Sequence, residues 1–252
     1  MAISLNTPWR AGEVTLGLWV STPGADTAEA IAAFDVAYVC VDLQHGLIDL
    51  GQARDVLRAL RTSTATPVCR VGGNDPASIG AVLDAGALGV IVPMVNSADE
   101  ARAAVASCRY APDGRRSFGP TRASLVHGDD LFGRANAEIS CIPMIETVEA
   151  IEHLDEILDV EGIDAVYVGP SDLGVSMGLG PGVDHDDDRF REALAAVLEG
   201  CARRGIVPGI HSSPDLTPVR VEQGFRMVTV TTDLLALRAG VAAALTTARP
   251  SS

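Results

Sequence analysis

Asp42, His45, Arg70, Glu146 and Asp172 each stand just after or at the end of an apolar run, and together they could build a divalent-metal reaction centre. The runs are Tyr38-Val39-Cys40-Val41, Pro67-Val68-Cys69, Cys141-Ile142-Pro143-Met144-Ile145 and Ala165-Val166-Tyr167-Val168. If they are buried parallel strands, their carboxyl ends meet at one rim. The two carboxylates Glu146 and Asp172, with water, suit Mg²⁺ or Mn²⁺, hard cations that favour oxygen, with Co²⁺ a further candidate. An imidazole beside them can serve as general base, and a guanidinium can clamp an anionic oxygen.

Each residue also has a plainer reading. A carboxylate at a strand end often only caps the next helix, although two after separate apolar strands are harder to dismiss. Asp42-Leu43-Gln44-His45-Gly46 is the most specific string. An Asp three residues before a His can orient the imidazole and stabilise its charged form; the alternative is a surface histidine in a loop. Arg70 needs a partner because a buried, unpaired guanidinium is costly, and a substrate oxygen is favoured over a structural carboxylate. Gly169-Pro170-Ser171-Asp172 reads as a helix start whose free N–H groups could cradle a carboxylate. His211 is a second-tier candidate. His127 and His153 read as loop and helix-surface residues, and His185 as part of a solvated acidic run.

Positioning these groups requires alternating elements. Strand candidates fall at 16–20, 37–42, 67–71, 88–92, 139–145, 164–168, 206–210 and 226–230. Helix candidates follow near 26–34, 49–61, 76–85, 97–108, 148–159, 188–204, 214–223 and 233–247. Asp26 with Glu29 and Ser97 with Glu100 read as capping boxes, and Asp75-Pro76 and Ser213-Pro214 as caps before a first-turn proline. Eight such units in 252 residues predict an α/β fold, a (β/α)8 TIM barrel, as one domain over 1–252 with terminal extensions at 1–12 and 248–252. Residues 109–138 break the rhythm and read as a long functional or mobile connection, and 174–182 as a lid.

Bulk properties exclude several functions. A net charge of −14 opposes nucleic-acid and anionic-membrane partners. All 19 basic residues are arginine, so a lysine Schiff base is impossible and carbonyl activation falls to a metal. The five cysteines are scattered singly, and Cys40, Cys69 and Cys141 lie in apolar runs, as buried hydrophobes do. No signal peptide or spanning segment is visible, so a cytoplasmic location is the expectation.

Read in order, the strings resemble the HpcH/HpaI family of metal-dependent (class II) pyruvate aldolases. They are Asp42-Leu43-Gln44-His45-Gly46, Arg70-Val71 with Asn74-Asp75-Pro76, Val82-Leu83-Asp84-Ala85-Gly86, Val92-Pro93-Met94-Val95, Ile145-Glu146-Thr147 and Val168-Gly169-Pro170-Ser171-Asp172-Leu173. The likeness runs from about Gly17 to Ala244. It implies cleavage of a 4-hydroxy-2-oxo acid into pyruvate, or a related 2-oxo acid, and an aldehyde. By resemblance Glu146 and Asp172 are the metal ligands, His45 the acid/base with Asp42 as its partner, and Arg70 the holder of the keto or enolate oxygen. The stretch Gly169 to Asp172 would take the substrate carboxylate through the backbone at Ser171 and Asp172. Asp84 would reach a neighbouring subunit's site in a homo-oligomer, a hexamer or trimer of dimers that exchange a C-terminal helix. One departure stands out: Met144 replaces a Gln that relatives often carry, and a thioether cannot donate a hydrogen bond.

Two other activities, and one non-catalytic role, fit the same residues. A β-hydroxyacyl-CoA lyase would need cationic contacts for phosphates, which Arg115, Arg116 and Arg122 could supply. An oxaloacetate decarboxylase would use the same enolate chemistry. A 2-oxo-acid-binding barrel without turnover is the non-catalytic reading.

Overall fold

The computed structural model describes residues 4–249 and closes eight parallel strands into a barrel, in sequence order, with β8 returning to β1. The strands are β1 (Thr15–Val20), β2 (Tyr38–Asp42), β3 (Thr66–Arg70), β4 (Gly89–Val92), β5 (Ser140–Ile145), β6 (Ala165–Val168), β7 (Val207–His211) and β8 (Met227–Thr232). All eight expected strands are present, and the (β/α)8 expectation holds.

Alternation within each strand sorts the side chains. Tyr38, Cys40, Val68, Ile91, Ile142, Met144 and Tyr167 pack inside the barrel, while Val39, Val41, Cys69, Cys141 and Ile145 pack outward under the helices. Both faces are buried, so these runs read as continuously apolar. Tyr38 fills the interior only because its neighbour across the ladder is Gly17; a Cβ there would lie 2.3 Å from the tyrosine ring.

The amino-terminal residues close the barrel floor rather than trailing from it. Helix Asn6–Arg10 buries Trp9, and with Leu5 that ring joins the interior cluster. Trp9 Nε1 donates to Thr15 Oγ1 at 3.0 Å, and Asn6 Nδ2 donates to Asp164 Oδ1 at 3.0 Å. The extension expected at 1–12 is therefore structural from residue 4 onward. Residues 1–3, like the end of the stretch 248–252, lie outside the described residues.

The expected helices appear with shifted ends. Asp49 makes a full capping box with Gln52, a signal the sequence reading passed over. Ser97 accepts from the Glu100 N–H, but the Glu100 carboxylate accepts from Asn96 instead, leaving that box half made. Asp26 lies inside helix Ala25–Ala32, whose cap is Gly24, and the helix expected from Pro214 begins only at Thr217. The helix expected at 148–159 divides at His153. Helix Asp188–Arg204 matches its expected bounds and ends on Gly205 at φ 67°, a left-handed cap that suits glycine.

Residues 109–138 are irregular only as far as Pro120. They contain helices Thr121–His127 and Leu131–Glu138. Helices of seven and eight residues show too few turns for their periodicity to be legible. The expected lid at 174–182 begins inside helix Pro170–Ser176.

Candidate active site

The inward parity that places Tyr38 and Cys40 in the barrel carries Asp42 to its rim. The same alternation brings Arg70 after Val68, Glu146 after Met144, and His211 after Gly209. A cavity of about 210 Å³ opens there, lined in part by Trp19, Asp42, His45, Arg70, Asp172 and His211. Met144, Gly169, Pro170 and Ser171 complete its β5–β6 side.

Asp42 and Arg70 are ladder partners across β2 and β3. Arg70 Nε donates to Asp42 Oδ1 at 2.8 Å and Nη2 to Oδ2 at 2.7 Å, a two-pronged ion pair. Two expectations change here. Arg70 takes a protein carboxylate as partner, so a substrate oxygen is left to Nη1, which has no acceptor among the described residues. Asp42 does not orient the His45 ring; it accepts the backbone N–H groups of Gln44 and His45 at 3.1 and 3.3 Å. The carboxylate shapes the turn that carries the imidazole. Gly46 is required in that turn, since a Cβ there would lie 2.2 Å from the Asp42 carbonyl oxygen.

Glu146 is the most unbalanced group at the rim. It is 1% exposed, and its Oε2 has no hydrogen-bond donor among the described residues. Its other oxygen accepts the Met94 N–H at 2.8 Å. Burial pushes the Glu146 carboxyl up to about 7; the Met94 N–H and Arg70 oppose the rise, and the Asp172 charge adds to it. Met94 holds a left-handed backbone at φ 56°, unusual for a residue with a side chain, and that conformation accompanies its N–H bond to Glu146. The approach is equally tight from β6, where a Cβ on Gly169 would lie 2.4 Å from Glu146 Oε2.

Asp172 lies in the first turn of helix Pro170–Ser176, which starts on Gly169 with proline at its first position. First-turn N–H groups have no intrahelical acceptor, and Ser171 and Asp172 in that turn line the cavity. Met144 is buried in the cavity wall, where its methyl would lie 2.9 Å from a Cβ on Gly169.

Sequence reasoning missed Trp19 and gave Met94 no role. Trp19 is buried against the cavity, with the Arg70 guanidinium carbon 4.6 Å from its ring centre. Its position two residues past Gly17 in β1 was the available signal. Met94 offered none, because its role depends on a backbone angle. His211 does join the site. Its ring stands edge-on to Trp19 at 5.1 Å, and its Nδ1 lies 3.4 Å from the Tyr167 hydroxyl. Burial, with Arg70 assisting and Asp42 opposing, drives the His211 imidazole down to about 4, so it is neutral near pH 7.

Other residues lie elsewhere. Asp84 ends helix Pro76–Asp84 and pairs with Arg116 at 2.8 Å, at the end of the barrel opposite this chain's mouth. Arg122 donates to the Ala85 carbonyl at that same end. Neither Arg116 nor Arg122 is placed to hold the phosphates of a CoA substrate at this mouth. His127, expected in a loop, is buried at the end of helix Thr121–His127 with Nε2 2.9 Å from the Gly86 carbonyl, and His185, expected in a solvated run, is half-buried edge-on against Phe190. Among the described residues no cluster of three or more His, Cys, Asp or Glu side chains forms a metal cage.

The sequence pattern of the HpcH/HpaI aldolase/citrate lyase family matches residues 15–239. The chain is 39% identical to a hydroxypyruvate/pyruvate aldolase of Rhizorhabdus wittichii, over 97% of this chain and 98% of that protein. It is 34% identical to a 4-hydroxy-2-oxo-heptane-1,7-dioate aldolase of Escherichia coli, over 97% of this chain and 95% of that protein. A solved HpcH/HpaI aldolase/citrate lyase family protein from Burkholderia cenocepacia superimposes with a TM-score of 0.91 at 29% identity, covering 98% of this chain and 99% of its own.

Proposed function

The chain belongs to the HpcH/HpaI aldolase/citrate lyase family, and from that premise we propose that it is a metal-dependent aldolase. It cleaves a 4-hydroxy-2-oxo acid reversibly into an aldehyde and pyruvate, or a close relative such as hydroxypyruvate. The observation that carries the metal reading is the shielded, donorless Glu146 Oε2 within reach of the Asp172 charge. A buried carboxylate oxygen left unmatched costs several kcal/mol unless protonated or bound to a cation. Two carboxylates, with no His or Cys cluster among the described residues, suit Mg²⁺ or Mn²⁺, with Co²⁺ tolerated, and leave the cation room for oxygens from water or substrate.

When bound, the cation supplies Lewis-acid withdrawal of charge from the 2-oxo group. Glu146 and Asp172 hold it. The first-turn N–H groups of Ser171 and Asp172 receive the substrate carboxylate. His45 takes the proton of the 4-hydroxyl; the C3–C4 bond breaks, the aldehyde leaves, and the bonding pair moves toward the 2-oxo oxygen. Arg70 Nη1 meets the charge that develops there, an effect worth about 3–4 kcal/mol for one well-placed donor. Asp42 and Trp19 fix the guanidinium plane. The proton taken by His45 passes to C3, directly or through water, which completes pyruvate and restores the base.

The working form is a homo-oligomer, a hexamer or trimer of dimers. Helix Asp233–Ala248 carries exposed Leu235, Leu237, Val241 and Leu245, and only its first residue is buried. An apolar helix standing off its own barrel suits a C-terminal element exchanged with a neighbour, whose site Asp84 would help complete. Five unpaired, buried thiols suit the reducing cytoplasm, and among the described residues no helix is long and apolar enough to cross a membrane.

The test is exchange of the pyruvate C3 protons with deuterium, followed by NMR. Exchange should require added Mg²⁺ or Mn²⁺, stop with EDTA, and fail in Glu146→Gln. Exchange undiminished by chelation would remove the metal, and absence of both exchange and aldol cleavage would remove the aldolase reading.

A further inference from the structure

A second cavity, of about 230 Å³, opens at the barrel face opposite the mouth. Its lining includes Leu60, Arg61 and Ser63, just before β3, Gly86, shortly before β4, and Arg122 and His127 from helix Thr121–His127. The lining contains two arginines and no carboxylate.

That composition is unusual for this chain, whose net charge is −14. The guanidiniums of Arg70, Arg109, Arg116 and Arg220 are all buried, and each faces a carboxylate: Asp42, Asp164, Asp84 and Asp184 respectively. Arg122 does not. Its Nη1 donates to the Ala85 carbonyl, and its Nη2 is shielded from solvent without an acceptor. Burial, then the like charges of Arg58 and Arg61, hold Arg122 below its ordinary pKa. Arg58 has Asp55 as counter-charge, whereas Arg61 has no ion-pair partner among the described residues. Unmatched donors on a charged group are costly, and an anionic oxygen ligand relieves both the missing bond and the repulsion.

We propose that this cavity binds a phosphate-type oxyanion between the guanidiniums of Arg122 and Arg61. Their planar donor forks match such oxygens in pairs. The Ser63 hydroxyl oxygen accepts from the Ala65 N–H at 3.0 Å, which leaves its O–H to donate. The ligand is free phosphate or the phosphate of a small monoester, and the site is distinct from the mouth.

Sodium phosphate and glycerol 3-phosphate are titrated separately into the native protein at ionic strength held constant with sodium chloride, reading melting temperature and binding heat. We expect a saturable rise in melting temperature for the wild type and for Arg102→Ala, a control in an exposed pair with Asp99. Arg61→Ala, at an exposed position, and Arg122→Gln should each weaken binding at least tenfold. The tighter of the two titrants identifies the free or the esterified ligand. An equal rise with chloride alone, or wild-type affinity in both variants, would overturn the site. So would phosphate that pyruvate displaces and Arg61→Ala spares, which places it at the mouth.

Discussion

Arg70 and Asp42 meet as direct ladder partners at the carboxyl ends of adjacent strands, bound through two parallel hydrogen bonds of 2.8 and 2.7 Å. The pair therefore stands or falls with the β2–β3 register, and a one-residue slip of either strand would turn its member of the pair out of the site.

Removing one partner strands the other. Asp42→Ala should destabilise the protein by about 3–5 kcal/mol, measured by urea unfolding, because it leaves a buried guanidinium unpaired. Replacing both residues with apolar ones should cost less than the sum of the single changes; additive losses would contradict the coupling. Burial pushes the Asp42 carboxyl up, but the hydrogen bonds and charge of Arg70 outweigh it and hold it below its ordinary 3.8. Its stabilisation is thus complete above that value and lost as pH falls through the native pKa, so wild type and Asp42→Asn should converge in strong acid.

Glu146 carries the opposite sign. Its native value of about 7, against an ordinary 4.5, means the folded chain keeps a proton that the unfolded chain releases. Metal-free protein should lose stability as pH rises from 4.5 to 7, by on the order of 3 kcal/mol at most. Glu146→Gln should flatten that limb in thermal melts. Mn²⁺ should raise the melting temperature of the wild type at pH 8 and leave the variant nearly unmoved.

His45→Ala should lower kcat by roughly 10²–10⁴-fold with little change in KM, as expected for loss of a general base. The His45 ring makes no hydrogen bond among the described residues, so the melting temperature should hold. A change confined to KM would reassign the residue to substrate binding.

For His211, burial lowers the native value to about 4, below the ordinary 6.5, so the folded chain keeps the ring neutral. Stability from this group is present above pH 6.5 and declines as pH falls toward 4. His211→Phe, which retains an aromatic ring beside Trp19, should lessen that decline in melts between those limits. An unchanged acid limb would mean the imidazole is not held neutral.

Glutamates introduced at Leu237 and Val241 should dissociate the proposed homo-oligomer, since both positions are exposed on the apolar C-terminal helix. Light scattering after gel filtration would read the mass. Retention of the wild-type mass would remove that helix from the interface.

Much of the barrel was legible in the chain. Strands buried on both faces must be apolar throughout, so their ends announce themselves, and polar residues at those ends fall at one rim by parity. That logic identified Asp42, Arg70, Glu146 and, less firmly, His211. It could not identify bonding partners. Asp42 lies three residues from His45 and 28 from Arg70, yet its side chain pairs with Arg70, because ladder register overrides proximity along the chain.

The sequence by itself determined the repeating elements, the absence of lysine chemistry and the residue types available at the mouth, since periodicity and composition are local properties. Only the tertiary structure decided that Trp19 would stack on Arg70 and that Met94 would turn its N–H to Glu146. Closure of the barrel also put Asp84 and Arg122 at the opposite face. Those outcomes depend on distances and backbone angles between remote segments, and no local pattern encodes them.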